Sequence, residues 1–236
     1  MYRGASDTIA SPGYNADVLL QRSFLARVYV WMTIGLGISA IMALLVNDDT
    51  AVRKALFVNP GIVLFICLAN FGLVWAISGW INRMSAMTAT LLFMLYSALT
   101  GVMLSSLLMV YSHTALMSTF LITAGTFATM AVIGTVTKKD LSSIGHMALM
   151  ALIGLIIAMV VNIFMQNALL AQVVNYIGVL VFVALTAYDS QKIKYMYMAG
   201  PSGSGMQQKA AISGALRLYL DFINLFLFIL ATRRRR

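Results

Sequence analysis

The sequence predicts an all-α integral membrane protein, a bundle of seven transmembrane helices. Of its 236 residues, 61% are hydrophobic and 10% are charged, whereas about a quarter of a soluble domain is charged. The apolar runs are roughly 20 residues long, the length that a helix needs to cross a hydrocarbon core. These runs are continuous rather than alternately apolar and polar, which favours helices over a β-barrel.

Seven spans follow an N-terminal segment that resembles no secretory signal. Residues 1–24 mix polar and apolar side chains and lack a compact apolar core, so we expect a cytoplasmic tail and a transmembrane domain over residues 25–236. The predicted spans are residues 25–46, 60–81, 86–109, 115–136, 142–165, 169–190 and 211–232. Their connections contain, in order, Asp48 and Asp49, Arg83, His113, Lys138 and Lys139, Gln166, and the Gly-rich residues 200–205.

Basic residues predict the orientation of these spans. With the N-terminus inside, the cytoplasmic segments carry Arg3, Arg22, Arg27, Arg83, Lys138, Lys139, Lys192, Lys194 and Lys209. The outer loops then carry only Arg53 and Lys54, so the positive-inside rule predicts a cytoplasmic N-terminus. Seven crossings would put Arg233–Arg236 outside, against the same rule. Either the last helix does not fully cross, or earlier helices overrule these arginines, or part of the run is an artificial extension; we expect a full crossing.

Several other features exclude classes of function. The net charge of +9 comes without an aromatic-interleaved basic surface outside the spans, so we expect no nucleic-acid partner. His113 and His146 lie at span ends without ligands at metal-binding spacing, and we expect no metal site and no cofactor. The connection after Asp189, about 20 residues long with its Gly-rich residues 200–205, predicts a flexible cytoplasmic loop. Ser97, Gly101 and Ser105 share one face of the third span and predict close helix packing.

Two acidic residues lie within apolar runs, and they are the candidate site. All seven acidic residues are aspartates, and only Asp189 and Asp221 fall inside spans. A carboxylate at membrane depth is costly and marks a functional site by default. The sixth and seventh spans are joined by one connection and are expected to be neighbours, so the two carboxyl groups could share a proton and sense pH. Arg83 and Arg217 are the candidate counter-charges.

A structural role is the alternative for each of these polar residues. Asp189 and Asp221 could cap or hydrogen-bond neighbouring helices. Asn224 could supply an oxygen ligand beside Asp221, but interhelical hydrogen bonding also explains an intramembrane asparagine.

Residues 187–193 (AYDSQKI) and 218–226 (LYLDFINLF) resemble the paired signature of the Bax inhibitor-1 family, the transmembrane Bax inhibitor motif proteins. Further matching pieces are residues 93–101 (FMLYSALTG), Thr123 and Ala124 with Phe127, and residues 137–142 (TKKDLS). The resemblance is closest to bacterial inner-membrane members. One departure is that Leu104, Ser105 and Ser106 stand where many members have Gly-Pro.

The resemblance implies a seven-helix bundle with the last helix central. It also implies a pH-sensitive calcium leak across the lipid bilayer, with Asp189 and Asp221 as a dyad and Arg83 as the arginine that pairs with Asp189. Calcium would be the permeant ion. Some bacterial relatives are instead described as modulators of a membrane-bound quality-control protease, which makes a regulatory binding protein the alternative function.

We expect no enzyme. Two intramembrane aspartates also occur in aspartyl proteases, but those carry Gly-x-Gly-Asp, whereas Tyr219 and Leu220 precede Asp221 here. Their later Pro-Ala-Leu is also missing, because the only prolines are Pro12, Pro60 and Pro201.

Overall fold

The computed structural model describes residues 12–198 and 203–233. These residues form eight α-helices and no strand, namely α1 (Pro12–Asp48), α2 (Thr50–Val58), α3 (Pro60–Trp80), α4 (Ala86–Val110), α5 (His113–Val136), α6 (Ser142–Met165), α7 (Ala168–Met198) and α8 (Ser204–Ala231). Seven of the eight are long and apolar enough to cross a membrane. The predicted all-α fold with seven spans is confirmed.

Polar side chains at the helix starts set several of these boundaries. Asn59 accepts a hydrogen bond from the Gly61 backbone N–H at 2.9 Å, and Ser85 accepts one from Thr88 at 3.0 Å. Such caps satisfy backbone donors that have no partner in the first helical turn. They explain why α3 and α4 begin where the apolar runs begin.

The structure extends helices beyond the predicted spans at the start of α1 and on both sides of the connection between α7 and α8. Helix α1 begins at Pro12, so residues 12–24 of the expected tail are helical. Helix α7 continues to Met198 and α8 begins at Ser204, which leaves residues 199–203 rather than about 20 residues as the connection. The polar sequence between the spans is rich in Lys, Gln, Met and Ala, which are good helix formers outside the bilayer too. Within the predicted Gly-rich loop, residues 200–202 lie outside the described residues.

The short helix α2 was not predicted. It is only nine residues long, and Asp49 caps its start by accepting hydrogen bonds from Ala51 and Val52 at 2.8 and 3.1 Å. None of its residues is buried. A search for runs of about 20 apolar residues passes over such a helix because it is too short to cross a bilayer.

Glycines allow the closest contacts between helices. A Cβ atom on Gly101 of α4 would meet the backbone of Ser39 in α1, and one on Gly134 of α5 would meet the backbone of Ala187 in α7. Ser97, Gly101 and Ser105 are all buried, which confirms the predicted small-residue face of the third span.

The last helix is the most buried of the seven spans. In its most apolar stretch 67% of the residues are buried, against 11% to 33% in the other six. It packs mainly on α1, α4, α5 and α7. The stronger expectation, that all six other spans surround it, stays a prediction.

Helix α8 crosses the whole bundle. Its end lies beside the starts of α5 and α7, because Arg233 donates a hydrogen bond to Ser118 at 2.6 Å and Asn175 donates one to the Ala231 carbonyl at 3.4 Å. Its 27-residue span covers about 40 Å at roughly 1.5 Å per residue. The start of α1 lies at the other end, because Gln21 donates a hydrogen bond to the Lys194 carbonyl near the end of α7 at 3.2 Å. The first and last described helices therefore have their outer ends on opposite faces of the bundle. The arginines at 234–236 lie outside the described residues.

A reporter fused after Arg236 should read on the opposite side of the membrane from one inserted into residues 199–203. We expect the outside for the C-terminal fusion, because the predicted basic segments gather at the other end of the bundle, where Lys194 donates to the Thr135 carbonyl at 2.8 Å. Paired alkaline phosphatase and green fluorescent protein fusions measure this. Both reporters reading on the same side would contradict a full crossing.

Gly134→Ala should destabilise the protein, because the new methyl group would overlap the backbone of Ala187, which cannot move aside like a side-chain end. The expected cost is about 1 to 3 kcal/mol, measured as a lower midpoint of thermal unfolding in detergent. Gly154→Ala is the matched control, since nothing lies within 4 Å of its Cβ position. Equal effects of the two substitutions would show that the α5–α7 contact is not tight.

Candidate functional site

The candidate site lies where α7 packs on α8. Asp189 of α7 and Asp221 of α8 are both buried, with 9% and 4% of their surfaces exposed. The two carboxyl groups are near enough for one to hydrogen-bond to the other. Such a bond needs one proton, because two carboxylates are both acceptors. The pair can thus hold one proton and one negative charge between its two members.

Part of this polar cluster lacks a partner. Among the described residues, Oδ2 of Asp221 and Oγ of Ser190 are buried without a hydrogen bond. A buried polar oxygen without a partner costs about 1 to 3 kcal/mol, and more when it is charged. A proton, a water molecule or a cation bound at Oδ2 of Asp221 would therefore remove the largest part of this free-energy cost.

Arg217 supplies the positive charge beside this pair. Its Nη1 lies 3.8 Å from Oδ1 of Asp189, and its side chain is 42% exposed, against 13% for Asp189. Arg217 lies one helical turn before Asp221 on α8, so a single guanidinium serves α7 and α8 at once. Because Arg217 is partly solvated, this ion pair contributes at most about 1 kcal/mol to stability. The importance of Arg217 to the site comes from its position between α7 and α8 rather than from the strength of this ion pair.

The predicted ion pair between Arg83 and Asp189 is not formed in this arrangement. Arg83 is exposed in the turn that follows α3, and among the described residues the arginine paired with Asp189 is Arg217. The sequence places Arg83 on the same side of the membrane as Asp189 but cannot show the distance across the bundle. The pairing of Arg83 with Asp189 in another state stays a prediction.

The hydrogen bond that Asn224 donates lies within α8 and is not the interhelical bond of the structural alternative. Nδ2 of Asn224 donates to the Leu220 carbonyl at 2.8 Å within the same helix. One amide hydrogen is therefore bonded within α8, and a ligand role for the amide oxygen stays a prediction.

Gln191 is a site residue that sequence reasoning noted only as part of a motif. It is 2% exposed; its Nε2 donates to the Lys139 carbonyl at 2.7 Å and its Oε1 accepts from the Leu141 N–H at 2.8 Å. The amide nitrogen and oxygen of Gln191 thus hold the connection between α5 and α6 against α7. Gln191 lies two residues after Asp189 on that helix. The signal available in the sequence was an amide side chain two residues after an aspartate at the end of an apolar run.

The same connection is ordered by Asp140 at the start of α6. Hydrogen bonds from the side chain and the backbone N–H of Ser142 lower the pKa of Asp140 below its ordinary value. The backbone bond is 2.9 Å long. Asp140 therefore stays charged at neutral pH and does not belong to the titrating pair.

On another face of α8, Tyr219 is fastened to α1. Its hydroxyl lies 2.6 Å from Oγ of Ser39, and Ser39 in turn donates to the Ser97 carbonyl of α4 at 2.7 Å. Phe93 and Tyr96 meet the Tyr219 ring edge-on, with centroids at 5.9 and 5.5 Å. Two residues before Asp221, α8 is thus held by α1 and α4.

Seven helical spans with a buried pair of aspartates on the last two define a class of multi-pass membrane proteins with an intramembrane acid site. The family profile described as "Inhibitor of apoptosis-promoting Bax1" matches residues 21–232. The chain belongs to this family, the Bax inhibitor-1 family, and the resemblance stated from the sequence is confirmed.

Relatives match over nearly their whole lengths. The inner membrane protein YbhL of Escherichia coli K12 is 44% identical over 226 residues, which cover 95% of this chain and 94% of YbhL. A protein of Borreliella burgdorferi is 44% identical over 214 residues, covering 91% of this chain and 92% of its own. A protein of Deinococcus radiodurans is 44% identical over 211 residues, covering 89% of each chain.

Gln191→Ala should destabilise the protein by about 1 to 3 kcal/mol, because it leaves the Lys139 carbonyl and the Leu141 N–H without partners. The measurement is thermal unfolding in detergent. Gln172→Ala is the matched control, since Gln172 lies on the same helix but is exposed. If both variants melted like the parent, the two hydrogen bonds would not hold the connection in solution.

Proposed function

We propose that the protein is a pH-sensitive leak for calcium, gated by the aspartate pair Asp189 and Asp221, in the inner (plasma) membrane with its N-terminus in the cytoplasm. The observation that carries the proposal is a pair of neighbouring carboxyl groups buried at membrane depth beside one partly solvated arginine. The Escherichia coli relative is named as an inner membrane protein, which supports the location. The proposal includes no enzymatic activity and no cofactor.

The gating follows from the charge of the pair. While Asp189 is ionised, Arg217 draws α8 towards α7 through the contact at 3.8 Å. Protonation of Asp189 removes that attraction, since a neutral carboxyl group does not form an ion pair with an arginine. The contact between α7 and α8 then loosens. We therefore expect flux to rise as pH falls.

Calcium suits the oxygen atoms of the site. Hard cations prefer oxygen ligands, and Ca²⁺ takes six to eight of them. The two carboxyl groups, the Asn224 amide oxygen and nearby backbone carbonyls could supply only a few such oxygen ligands. Within residues 12–198 and 203–233 no group of three or more His, Cys, Asp or Glu side chains could hold a metal. A weak site of this kind fits an ion that passes through better than one that stays bound.

Asp221→Asn should flatten the pH response of calcium flux, because a shared proton requires two carboxyl groups. The purified protein is reconstituted in liposomes with an internal calcium dye and scanned across pH. In the parent, one shared proton changes the flux by at most about tenfold per pH unit. In Asp221→Asn no second carboxylate favours protonation of Asp189, so the response should move to more acidic pH and leave the flux flat around neutral pH. Arg217→Gln should leave flux high at neutral pH, because the ion pair to Asp189 is gone.

Asp48→Asn is the matched control for this experiment, since Asp48 is an exposed aspartate at the end of α1. It should keep the parent's pH response. An unchanged response in Asp221→Asn would contradict the aspartate pair as the gate. Absence of any flux in liposomes, together with flux in whole cells, would favour the alternative function, a regulator that binds a membrane protease or another membrane partner.

A further inference from the structure

A cavity of about 370 Å³ lies between α1, α4, α5 and α8. It occupies the half of the bundle towards the end of α8, where α4 ends and α5 begins. Ala40 and Leu44 of α1, Leu108 of α4, Phe120 of α5, and Phe222 and Phe226 of α8 are among the residues that form its walls. These side chains place the cavity at membrane depth.

The cavity opens towards the lipid. Three of its lining side chains, Leu44, Met117 and Phe120, are 49%, 62% and 43% exposed on the surface of transmembrane helices. Its inner wall is closed by Phe222 and Ile223, which are 4% and 8% exposed. The cavity is thus a pocket that continues the lipid-facing surface inwards as far as α8.

Polar groups are nearly missing from the lining. The two polar side chains among the lining residues are Ser39 and His113. The hydroxyl of Ser39 already contacts the Tyr219 hydroxyl and the Ser97 carbonyl, and His113 is exposed at the start of α5. Water needs two to four polar partners, and apolar cavities much larger than one water molecule stay dry. Neither water nor a cation suits this pocket.

We propose that this pocket binds one acyl chain of a membrane phospholipid. An unfilled apolar pocket loses the dispersion contacts of every atom that lines it, and in a bilayer the apolar molecules that reach an opening on the lipid-facing surface are acyl chains. The volume lies in the range of pockets that bind small ligands, about 300 to 1,000 Å³. The site belongs to the leaflet on the side of the C-terminus.

The bound chain would touch α8, the helix that carries Asp221. Phe222 and Ile223 follow Asp221 directly on α8, and Ser39 lies opposite Tyr219. The proposal does not depend on the calcium leak, because a lipid site can exist whether or not ions pass.

Tryptophan quenching by brominated lipid tests the site. Trp31, Trp75 and Trp80 are replaced by phenylalanine, and Phe226→Trp places one fluorophore in the wall of the pocket. The full chain is reconstituted in dioleoyl-phosphatidylcholine vesicles with and without brominated acyl chains. We expect quenching close to that of a Phe164→Trp reference, since Phe164 faces lipid with 83% of its surface exposed.

The main comparison is with a variant in which a larger side chain blocks the pocket. Ala40 is exposed on α1 and lines the pocket, so Ala40→Phe fills the opening without a clash in the core. It should cut the quenching of Phe226→Trp to less than about half, because the chain is displaced. Ile41→Phe adds the same ring to the next lipid-facing position, 59% exposed and outside the pocket, and should leave the quenching unchanged.

Native mass spectrometry of the protein in mild detergent gives an independent readout. The parent and Ile41→Phe should retain a phospholipid adduct that Ala40→Phe loses. No quenching in Phe226→Trp, or equal quenching with and without Ala40→Phe, would overturn the proposal. Quenching by brominated oleate but not by brominated phospholipid would also overturn it, by assigning the pocket to a free fatty acid. If Ala40→Phe did not fold, Ala40→Leu would make the same comparison with a smaller side chain.

Discussion

The burial of Asp221 on α8 is the constraint on which the rest of the structure depends. A carboxyl group at this depth costs about 2.5 kcal/mol or more unless something compensates it. Asp189, across the helix contact, can share a proton with Asp221, and Arg217, one turn earlier on α8, supplies a positive charge. Both depend on α8 lying against α7 with little freedom to rotate. The helices that enclose α8 therefore serve the acid pair as much as the core.

Two separate sets of contacts fasten the two sides of the acid pair. On one side Gln191, with its two hydrogen bonds, and the close approach of Gly134 to Ala187 join α7 to α5 and to the connection before α6. On the other side the Ser39–Tyr219 contact joins α8 to α1. The aspartates lie at the boundary between these two sets. Between α7 and α8 themselves, Gly178 packs closely on the Phe228 ring, a side chain rather than backbone.

The sequence allowed the spans to be predicted well because bilayer thickness fixes the length of an apolar run. Where that rule does not apply, prediction failed: α2 is too short to cross, and the polar ends of α7 and α8 continue as helix to Met198 and from Ser204. Asp189 and Asp221 were found because charge is rare at membrane depth. Arg217 and Arg83 could not be ranked, since the distance between two helices depends on packing, and the hydrogen bonds of Gln191 depend on a connection 50 residues away in the chain.

The last helix has a consequence for how the protein is made. It is the most enclosed of the seven spans, although it is no more apolar than the others. Translation delivers it after every other span. Until α8 enters the bilayer, the faces of α1, α4, α5 and α7 that it covers have no α8 to pack against, and Ser39 and Asp189 lack their contacts with Tyr219 and Arg217. A chain that stopped before α8 would leave these faces, and the carboxyl group of Asp189, open to lipid.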